Sequence, residues 1–323
     1  MDIIEQAAKR LEELRRAGVE VADAAAAPEV KTADAKVGAG ETALHEPTRA
    51  DVPPPAPAVA VGSPAMSRCI DLDLAVLSAH GIVTAASARS QLADELRVLK
   101  RPLLHNASGK SAAPIKDANL IMITSAMPGE GKTYLATNLA ISIAMELDHT
   151  VLLVDADVAR PSIPTVLGFG QEKGLLDVLL DSSLDLSQVL LRTSIEKLSI
   201  LPAGTQHPRA TELLASDAMV HLLADMAQRY PDRIIIFDSP PLLVTTEARA
   251  LASHMGQVVL VVKAESTTHA EVRSAIAAID ACPVKMVALN KASGELDGHG
   301  YGYGYGYGYG YRERQAAETA ARK

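Results

Sequence analysis

The chain has 323 residues, of which 48% are hydrophobic, and a formal net charge of −8. This apolar content is sufficient for one sizeable core, whereas the negative charge argues against a general nucleic-acid-binding protein. Cys69 and Cys282 are far apart and lack metal-ligand spacing, and no secretory signal or apolar run of about 20 residues is found. We therefore predict a soluble cytoplasmic protein that reaches a membrane only through a partner.

The N-terminal segment predicts a short helix followed by a linker. An amphipathic pattern within residues 1–20 ends at Gly18 and has an apolar face formed by Ile3, Ala7, Leu11 and Leu14. This helix either packs on its own domain or docks on a partner. Residues 21–66 contain fourteen Ala, seven Pro and no aromatic residue, so we predict a disordered linker over 21–68.

The ordered domain is predicted over residues 69–292, and Ser90 is the expected N-cap of its first long helix. This helix, SQLADELRVLKRPLL, is expected to end near Pro102. One face carries three charged residues, Asp94, Arg97 and Lys100. Such a stripe is either a solvated surface or a contact surface between copies of the chain.

A phosphate-binding loop is predicted in LIMITSAMPGEGKTYLATNLA, residues 120–140, where an apolar strand runs through a glycine-rich turn into a helix. Backbone N–H groups at such a helix N-terminus bind phosphate oxygens. Ala126 occupies the position of the first glycine of the usual pattern. The predicted nucleotide-binding residues of the loop are Pro128, Gly129, Glu130, Gly131, Lys132, Thr133 and Tyr134.

The rest of the domain alternates strand and helix patterns. Strands are predicted at 120–124, 151–155, 198–201, 233–238, 256–262 and 284–289, and helices after the loop at 133–145, 209–229, 245–253 and 268–281. Most of the strands are nearly continuous Val, Ile and Leu, as expected when both faces are covered. We predict an α/β fold of the P-loop NTPase type, with a doubly wound, mainly parallel sheet and helices on both faces.

Carboxylates follow two of these strands at the edge where open α/β sheets bind ligands. VLLVDAD places Asp155 and Asp157 there, and RIIIFDSPP places Asp238. Three carboxylates beside a phosphate loop indicate Mg²⁺ and ATP, with Lys132 at the β/γ-phosphates and the Thr133 hydroxyl as a ligand of the metal. Asn290 ends the last strand and either contacts adenine or caps the strand.

The C-terminal tail, residues 293–323, contains tyrosine at every second position with glycine between. These residues are Tyr301, Tyr303, Tyr305, Tyr307, Tyr309 and Tyr311. Glycine disfavours a helix, which leaves each hydroxyl accessible to a cleft, and a flexible tether gives a high effective concentration at a neighbouring site. The tail is therefore predicted to be phosphorylated, and the alternative is an adhesive low-complexity segment.

With these motifs the chain resembles the bacterial protein-tyrosine kinases that use Walker-type motifs and accompany exopolysaccharide export. SAMPGEGKT, VLLVDAD, IIIFDSPP and the tyrosine cluster carry the resemblance, which covers about 70–311. The segment IDLDLAVLSAHGIVT is similar to the subgroup encoded with exosortase loci. Ala159 stands where the family has arginine, and Arg160 follows.

The resemblance implies autophosphorylation of the tail between subunits, with Asp155 orienting or deprotonating the tyrosine and with Asp157 and Asp238 serving Mg²⁺. Relatives assemble rings through Glu-x-x-Arg-x-x-Arg, and this chain has Asp94, Arg97 and Lys100 in those places. Lysine cannot reproduce the bidentate fork of arginine, so the interface is expected to be weaker or different. The family also implies an activating membrane polysaccharide co-polymerase, a tyrosine phosphatase and a location at the inner membrane through that partner.

Two other functions are compatible with the motifs. Partitioning or division-site-positioning ATPases share the sheet and both acidic motifs, but they carry a signature lysine where this chain has Met127. An ATP-binding scaffold without kinase activity would bind nucleotide and produce no phosphotyrosine.

Overall fold

A computed structural model of the protein describes residues 68–111, 113–229 and 232–292. The predicted N-terminal helix in 1–20, the predicted linker as far as residue 67, and the tail 293–323 with its six tyrosines lie outside the described residues. None of the helices within the described ranges combines the length and the hydropathy that a bilayer-spanning segment requires.

The described residues form one mixed, mostly parallel sheet. Its strands are β1 (Cys69–Ile70), β2 (Leu120–Ser125), β3 (Thr150–Asp155), β4 (Leu191–Thr193), β5 (Leu198–Leu201), β6 (Arg233–Asp238), β7 (Gln257–Lys263) and β8 (Val284–Asn290). Their spatial order is β1-β4-β5-β3-β6-β2-β7-β8. The pairs from β5 to β8 are all parallel, and β4 is antiparallel to β5.

Helices connect the strands and cover both faces of the sheet. They are α1 (Leu74–Ala79), α2 (Gln91–Ala107), α3 (Lys132–Ala144), α4 (Ile163–Leu167), α5 (Leu175–Leu180), α6 (Leu186–Val189), α7 (Ala210–Leu214), α8 (Asp217–Arg229), α9 (Thr246–Ala252) and α10 (His269–Ala278). A single 3₁₀ turn, Ala85–Ser87, precedes α2 in this part of the chain.

The alternation of side chains along each strand divides the interior into two cores. In β2, Leu120 and Met122 face one core, which also contains Phe237 of β6. Ile121 and Ile123 face the other core, beneath α2 and α3. Because successive side chains of a strand point to opposite faces, an uninterrupted aliphatic run is needed where both faces are covered. The predicted α/β fold is therefore confirmed.

The six predicted strands are present within one or two residues of their expected ends. The sequence analysis did not predict the short strands β1 and β4, or the helices α1, α4, α5 and α6. The helix predicted over 209–229 is two helices, separated at Ala215 and Ser216, where the Ser216 hydroxyl accepts a hydrogen bond from the Met219 N–H (3.3 Å). The serine provides the local cap that starts α8.

The N-cap prediction for α2 is confirmed, because the Ser90 hydroxyl accepts a hydrogen bond from the Ala93 N–H (3.2 Å). The expected end near Pro102 is wrong, since α2 continues through Pro102 to Ala107. Proline removes one helical hydrogen bond, whose acceptor is at Val98, a residue that is 75% exposed. Leu103, which is fully buried immediately after the proline, keeps the last turns packed on the core.

Lys100 fastens α2 to the end of α3. Its side chain is buried, and its Nζ donates to the Ser142 carbonyl (2.8 Å) and pairs with the Glu146 carboxylate (2.6 Å). The ammonium group thus lies at the C-terminal end of a helix, where the helix dipole favours a positive charge.

We expect Lys100→Ala to lower the free energy of unfolding by about 2 kcal/mol, because it leaves the Ser142 carbonyl without its donor and Glu146 without its partner. Chemical denaturation monitored by circular dichroism measures this change. Arg101→Ala is the matched control, since Arg101 is an exposed cation of the same helix, and its effect should stay within about 0.5 kcal/mol. Equal effects of the two variants would contradict the assigned role of Lys100.

Candidate active site

The glycine-rich loop lies between β2 and α3 at the carboxyl edge of the sheet. Gly129 and Gly131 have φ angles of 81° and 101°, a region that other residues rarely adopt. Gly131 is the N-cap of α3 and supplies no side-chain cap. The first N–H groups of α3 consequently have no capping side chain, which is the arrangement that binds phosphate at a helix N-terminus.

Glu130 anchors the loop from within. Its side chain is buried, one carboxylate oxygen accepts a hydrogen bond from the Met127 N–H (3.1 Å), and the other accepts one from the Thr267 hydroxyl. Thr267 in turn accepts a hydrogen bond from the Lys263 N–H (3.1 Å) at the end of β7. The loop is thereby tied to the neighbouring strand through a side chain rather than through the backbone alone.

The end of β8 holds the loop from outside. Asn290 Nδ2 donates to the Glu130 carbonyl (2.8 Å), and Lys291 Nζ donates to the Gly129 carbonyl (3.1 Å). A Cβ atom at Gly131 would lie 2.1 Å from Asn290 Nδ2, so glycine is also required there for space. The sequence analysis did not identify Thr267 or Lys291, because neither belongs to a motif and each contacts the loop from more than 130 residues away.

Three carboxylates lie at the same edge of the sheet. Asp155 of β3 is in register with Asp238 of β6, and adjacent parallel strands are about 4.8 Å apart. Asp238 is also in register with Ile123, the third-last residue of β2 before the loop. The strand register therefore places Asp155 and Asp238 side by side next to the loop, as the sequence analysis expected for this edge.

Burial changes the acidity of both neighbouring carboxyl groups. Desolvation raises the pKa of Asp155 to about 8, and the charges of Asp238 and Asp157 add to this, although a hydrogen bond from the Ile163 N–H (3.2 Å) opposes it. Desolvation likewise raises the pKa of Asp238 to about 7, against the lowering effects of the Lys132 ammonium and the Thr133 hydroxyl. A site that disfavours two negative charges in this way favours a proton or a cation beside them.

Lys132 and Asp157 form a nearly buried ion pair within the site. The Lys132 Nζ is 2.7 Å from Asp157 Oδ2, and the other oxygen of Asp157 accepts the Arg160 N–H (3.3 Å). Four of the predicted residues, Lys132, Asp155, Asp157 and Asp238, are thus brought together around the loop. Arg160, which follows the position where the family has arginine, has an exposed side chain.

Two predicted nucleotide contacts have other partners. The Tyr134 hydroxyl donates to the Gly81 carbonyl (2.8 Å), and its ring packs on the core beneath α3. Its side chain therefore points away from the phosphate-binding loop. The side-chain amide of Asn290 donates a hydrogen bond to the Glu130 carbonyl and accepts one from the Lys291 N–H (2.9 Å). Both polar atoms therefore have protein partners, which favours the strand-capping alternative over an adenine contact. Pro128 and Gly129 are exposed at the tip of the loop.

The predicted charged stripe on α2 is not a single exposed surface. Lys100 is buried against α3 and Glu146, because successive turns of the helix rotate it toward the core. Arg97 pairs with Asp94 and also donates to the Ala88 carbonyl, and both of these charged side chains remain partly or largely exposed. A contact between copies of the chain at this surface would therefore involve Asp94 and Arg97. Lys100 could not take part, because it is buried within its own chain.

A parallel sheet, a glycine-rich loop at a helix N-terminus and carboxylates on adjacent strands define a P-loop nucleotide-binding protein. A family model described as an AAA domain matches residues 118–286. The curated relative tyrosine-protein kinase YwqD of Bacillus subtilis (strain 168) is 34% identical over 179 residues, which are 55% of this chain and 74% of the relative. The chain belongs to the bacterial protein-tyrosine kinases.

Other relatives agree with this family. Tyrosine-protein kinase wzc of Salmonella typhimurium is 31% identical over 56% of this chain, and the match spans only 25% of wzc. Among solved structures, the kinase domain of the Escherichia coli tyrosine kinase ETK superposes with a TM-score of 0.52 and 25% identity, covering 71% of this chain and 98% of that one. The chimerical protein CapA2B2 gives a TM-score of 0.54 and 26% identity over 69% and 93% of the two chains. The exosortase-associated subgroup stays a prediction.

We expect Asp155→Asn to become more stable relative to the wild type as pH rises from 5 to 9. Between about pH 4, the ordinary value, and the folded pKa of about 8, the folded protein holds a proton that the unfolded chain has lost. Unfolding therefore becomes easier as pH rises through this window. Asparagine does not titrate, so the variant keeps the stability that the wild type loses, about 4 kcal/mol between pH 5 and the folded pKa of about 8. Thermal unfolding at several pH values measures the effect.

Asp148→Asn is the control for this experiment, since it removes one negative charge from an exposed turn. A constant difference in melting temperature between Asp155→Asn and the wild type at every pH would contradict the raised pKa of Asp155.

We expect Asn290→Ala to raise the KM for ATP and the KM for GTP by the same factor, about threefold to tenfold, because the lost contact positions the loop. An adenine contact would raise only the KM for ATP. Steady-state kinetics with both nucleotides separates these outcomes. In the control variant Asn290→Asp, the acceptor for the Lys291 N–H remains and the donor to Glu130 is lost, so it should resemble the alanine variant.

Proposed function

We propose that this protein is an ATP- and Mg²⁺-dependent tyrosine autokinase that phosphorylates its own C-terminal tyrosines between subunits. In this proposal, the loop residues Gly129 to Thr133 bind the phosphates through backbone N–H groups, Pro128 shapes the tip of the loop, and Lys132 neutralises the β/γ-phosphates. The family membership and the catalytic edge of the sheet support it. The activity regulates exopolysaccharide polymerisation and export.

The proposal that the site binds Mg²⁺ is supported by carboxylate oxygens that have no hydrogen-bond partners. Within the described residues, both oxygens of Asp238 and Oδ1 of Asp155 are buried without any such partner. Unpaired buried oxygens beside a phosphate loop fit a hard cation. Thr133, Asp157 and Asp238 would hold Mg²⁺, which supplies charge neutralisation to the triphosphate.

No group of three or more His, Cys, Asp and Glu side chains in the described ranges is arranged to hold a metal by itself. This agrees with Mg²⁺ in particular, because Mg²⁺ is usually bound through one or two carboxylates together with substrate phosphates and water. The site therefore requires the nucleotide to complete the coordination of the metal.

Asp155 is the proposed base. Its raised pKa makes the carboxylate more basic than that of an ordinary aspartate, which suits the removal of a phenolic proton. The tyrosine oxygen forms a bond to the γ-phosphorus, the bond from that phosphorus to the β–γ bridging oxygen breaks, and ADP leaves. The phenolic proton passes to the Asp155 carboxylate. The hydrogen bond from the Ile163 N–H orients this side chain.

The place where the tail begins supports transfer between subunits. Asn290 and Lys291 contact the phosphate loop, so the tail leaves from the rim of its own site. The first acceptor, Tyr301, is only ten residues further along, and it would have to fold back sharply to return. A neighbouring subunit can receive the tail in an extended form, at the effective concentration that a tether supplies.

The proposal includes the assembly and partners that the family implies. The chain forms a homo-oligomer, of which a ring is one form, and in it Asp94 and Arg97 of α2 contact a neighbour while Lys100 maintains the fold. A membrane polysaccharide co-polymerase activates it, which places a cytoplasmic kinase at the inner membrane, and a tyrosine phosphatase reverses the reaction. Six phosphates would add about nine to twelve negative charges, and their repulsion would oppose assembly.

We expect Lys132→Met to abolish phosphotyrosine formation, because it removes the cation at the β/γ-phosphates. The same protein should still accept phosphate when it is mixed with an active full-length chain whose six tail tyrosines are changed to Phe. Mass spectrometry of the two chains after incubation with Mg·ATP measures the labelling, which should rise with concentration. Circular dichroism of Lys132→Met checks that loss of the Asp157 ion pair does not unfold the protein.

Three outcomes would contradict the proposal. Normal phosphotyrosine in Lys132→Met alone would refute the assignment of the loop. An unlabelled Lys132→Met chain in the mixture, together with labelling of the wild-type chain alone at a rate independent of concentration, would show transfer within one subunit. Nucleotide binding without any phosphotyrosine would favour the scaffold alternative.

A further inference from the structure

A cavity of about 350 Å³ opens beside the catalytic edge of the sheet. One wall is α4 with its flanking residues, which contribute Pro161, Pro164 and Phe169. The facing wall is the chain that follows β5, from Pro202 to Gln206. The phosphate loop does not line this cavity, and the roles assigned above leave it unused.

The cavity is adjacent to the proposed base. The Ile163 N–H, at the start of α4, donates to Asp155 Oδ2 (3.2 Å), so the segment that orients the carboxylate also builds a wall of the cavity. The other wall continues β5, which pairs directly with β3, with Leu201 opposite Val154. The cavity therefore begins within one or two strand spacings of Asp155, about 5–10 Å.

The chemistry of the lining suits a neutral aromatic ring. Three prolines and the half-buried Phe169 offer flat apolar surfaces, and aromatic rings gain from such contacts beyond simple burial. Thr165 and Gln206 are exposed at the rim and can hydrogen-bond to a phenolic hydroxyl. The one charged lining residue, Glu172, pairs with Arg68 at 2.6 Å.

We infer that this cavity binds the tyrosine two residues away from the acceptor tyrosine, in the Gly-Tyr tail of another copy of this chain. This inference rests on the proposed function. Along an extended chain, residues i and i+2 point to the same side about 6.6 Å apart, which matches the offset between Asp155 and the cavity. The tail from Tyr301 to Tyr311 has tyrosine at every second position, so nearly every acceptor carries such a neighbour.

The repeat is therefore the recognised element. Glycine at the alternate positions leaves the opposite side of the extended tail without side chains, so the backbone can lie close to the edge of the sheet. An acceptor tyrosine in another sequence context, without a ring two residues away, would lack the contact with Phe169. The cavity thus determines which tyrosines the kinase prefers, separately from the groups that transfer phosphate.

The test compares full-length Lys132→Met acceptors in which Tyr305 is the only tail tyrosine. In one acceptor the other five tyrosines are changed to Phe, and in a second they are changed to Ala. A third acceptor has the five alanines together with Gly304→Phe and Gly306→Phe. It has two rings near Tyr305, as the first acceptor has at positions 303 and 307, but these rings lie on the opposite side of an extended chain. The donor is the full-length active chain with all six tail tyrosines changed to Ala.

At limiting acceptor concentration, we expect mass spectrometry to show Tyr305 labelled about tenfold faster in the first acceptor than in the second or third. Phe169→Ala in the donor should reduce that ratio to near one, and Phe169→Leu should reduce it less. Gln206→Trp, which fills the cavity from an exposed position, should have the same effect as Phe169→Ala and serves if that variant does not fold.

Equal labelling of all three acceptors by the unaltered donor would overturn the inference while leaving transfer between subunits intact. A ratio that persists in both Phe169→Ala and Gln206→Trp would also overturn it, because the ring would then bind elsewhere. Absence of labelling in every acceptor would instead refute the proposed function itself, and the inference with it.

Discussion

Two aspartates on neighbouring strands are held out of water at the same edge of the sheet, and the cost of burying their negative charges determines what the site can bind. The register places Asp155 beside Asp238, and burial raises the pKa of both carboxyl groups. Lys132 supplies one compensating charge, and it is already paired with Asp157. The site is therefore short of positive charge and rich in unpaired oxygens. A divalent cation with a bound triphosphate would meet both conditions at once, because the carboxylate oxygens could hold the cation and Lys132 could pair with the phosphates.

The phosphate loop depends on parts of the chain that lie far from it in sequence. Its backbone turns at two glycines, yet its position is fixed by Glu130 within the loop and by Asn290 and Lys291 at the end of β8. These last contacts connect the nucleotide site to the origin of the tail, since the tail begins directly after them.

Most of the architecture could be predicted from the pattern of side chains. Continuous aliphatic runs predicted the six parallel strands, because a strand covered on both faces must be apolar throughout. The two-residue β1 and three-residue β4 are too short to show any period. The prediction failed for Lys100, where a charge on an amphipathic helix indicated exposure. Its long side chain instead reaches the end of α3, and this partner lies more than 40 residues away. The predicted end of α2 near Pro102 failed for the same reason, because it depends on contacts distant in sequence. The burial of Leu103 on the core stabilises the helix by more than the one hydrogen bond that the proline removes.

The sequence by itself determined the chemical groups of the site: a loop that can turn only at its glycines, a lysine at a helix N-terminus, and three carboxylates that end buried strands. Only the tertiary structure decided how these groups act on one another. Periodicity specifies which face of a strand a residue occupies, but it does not specify which strand lies next to it or in what register. The proximity of Asp155 to Asp238, the latching of the loop by Asn290 and Thr267, and the cavity beside Phe169 all depend on that pairing. Desolvation, which raises the pKa of the two carboxyl groups, exists only once the surrounding layers have excluded water.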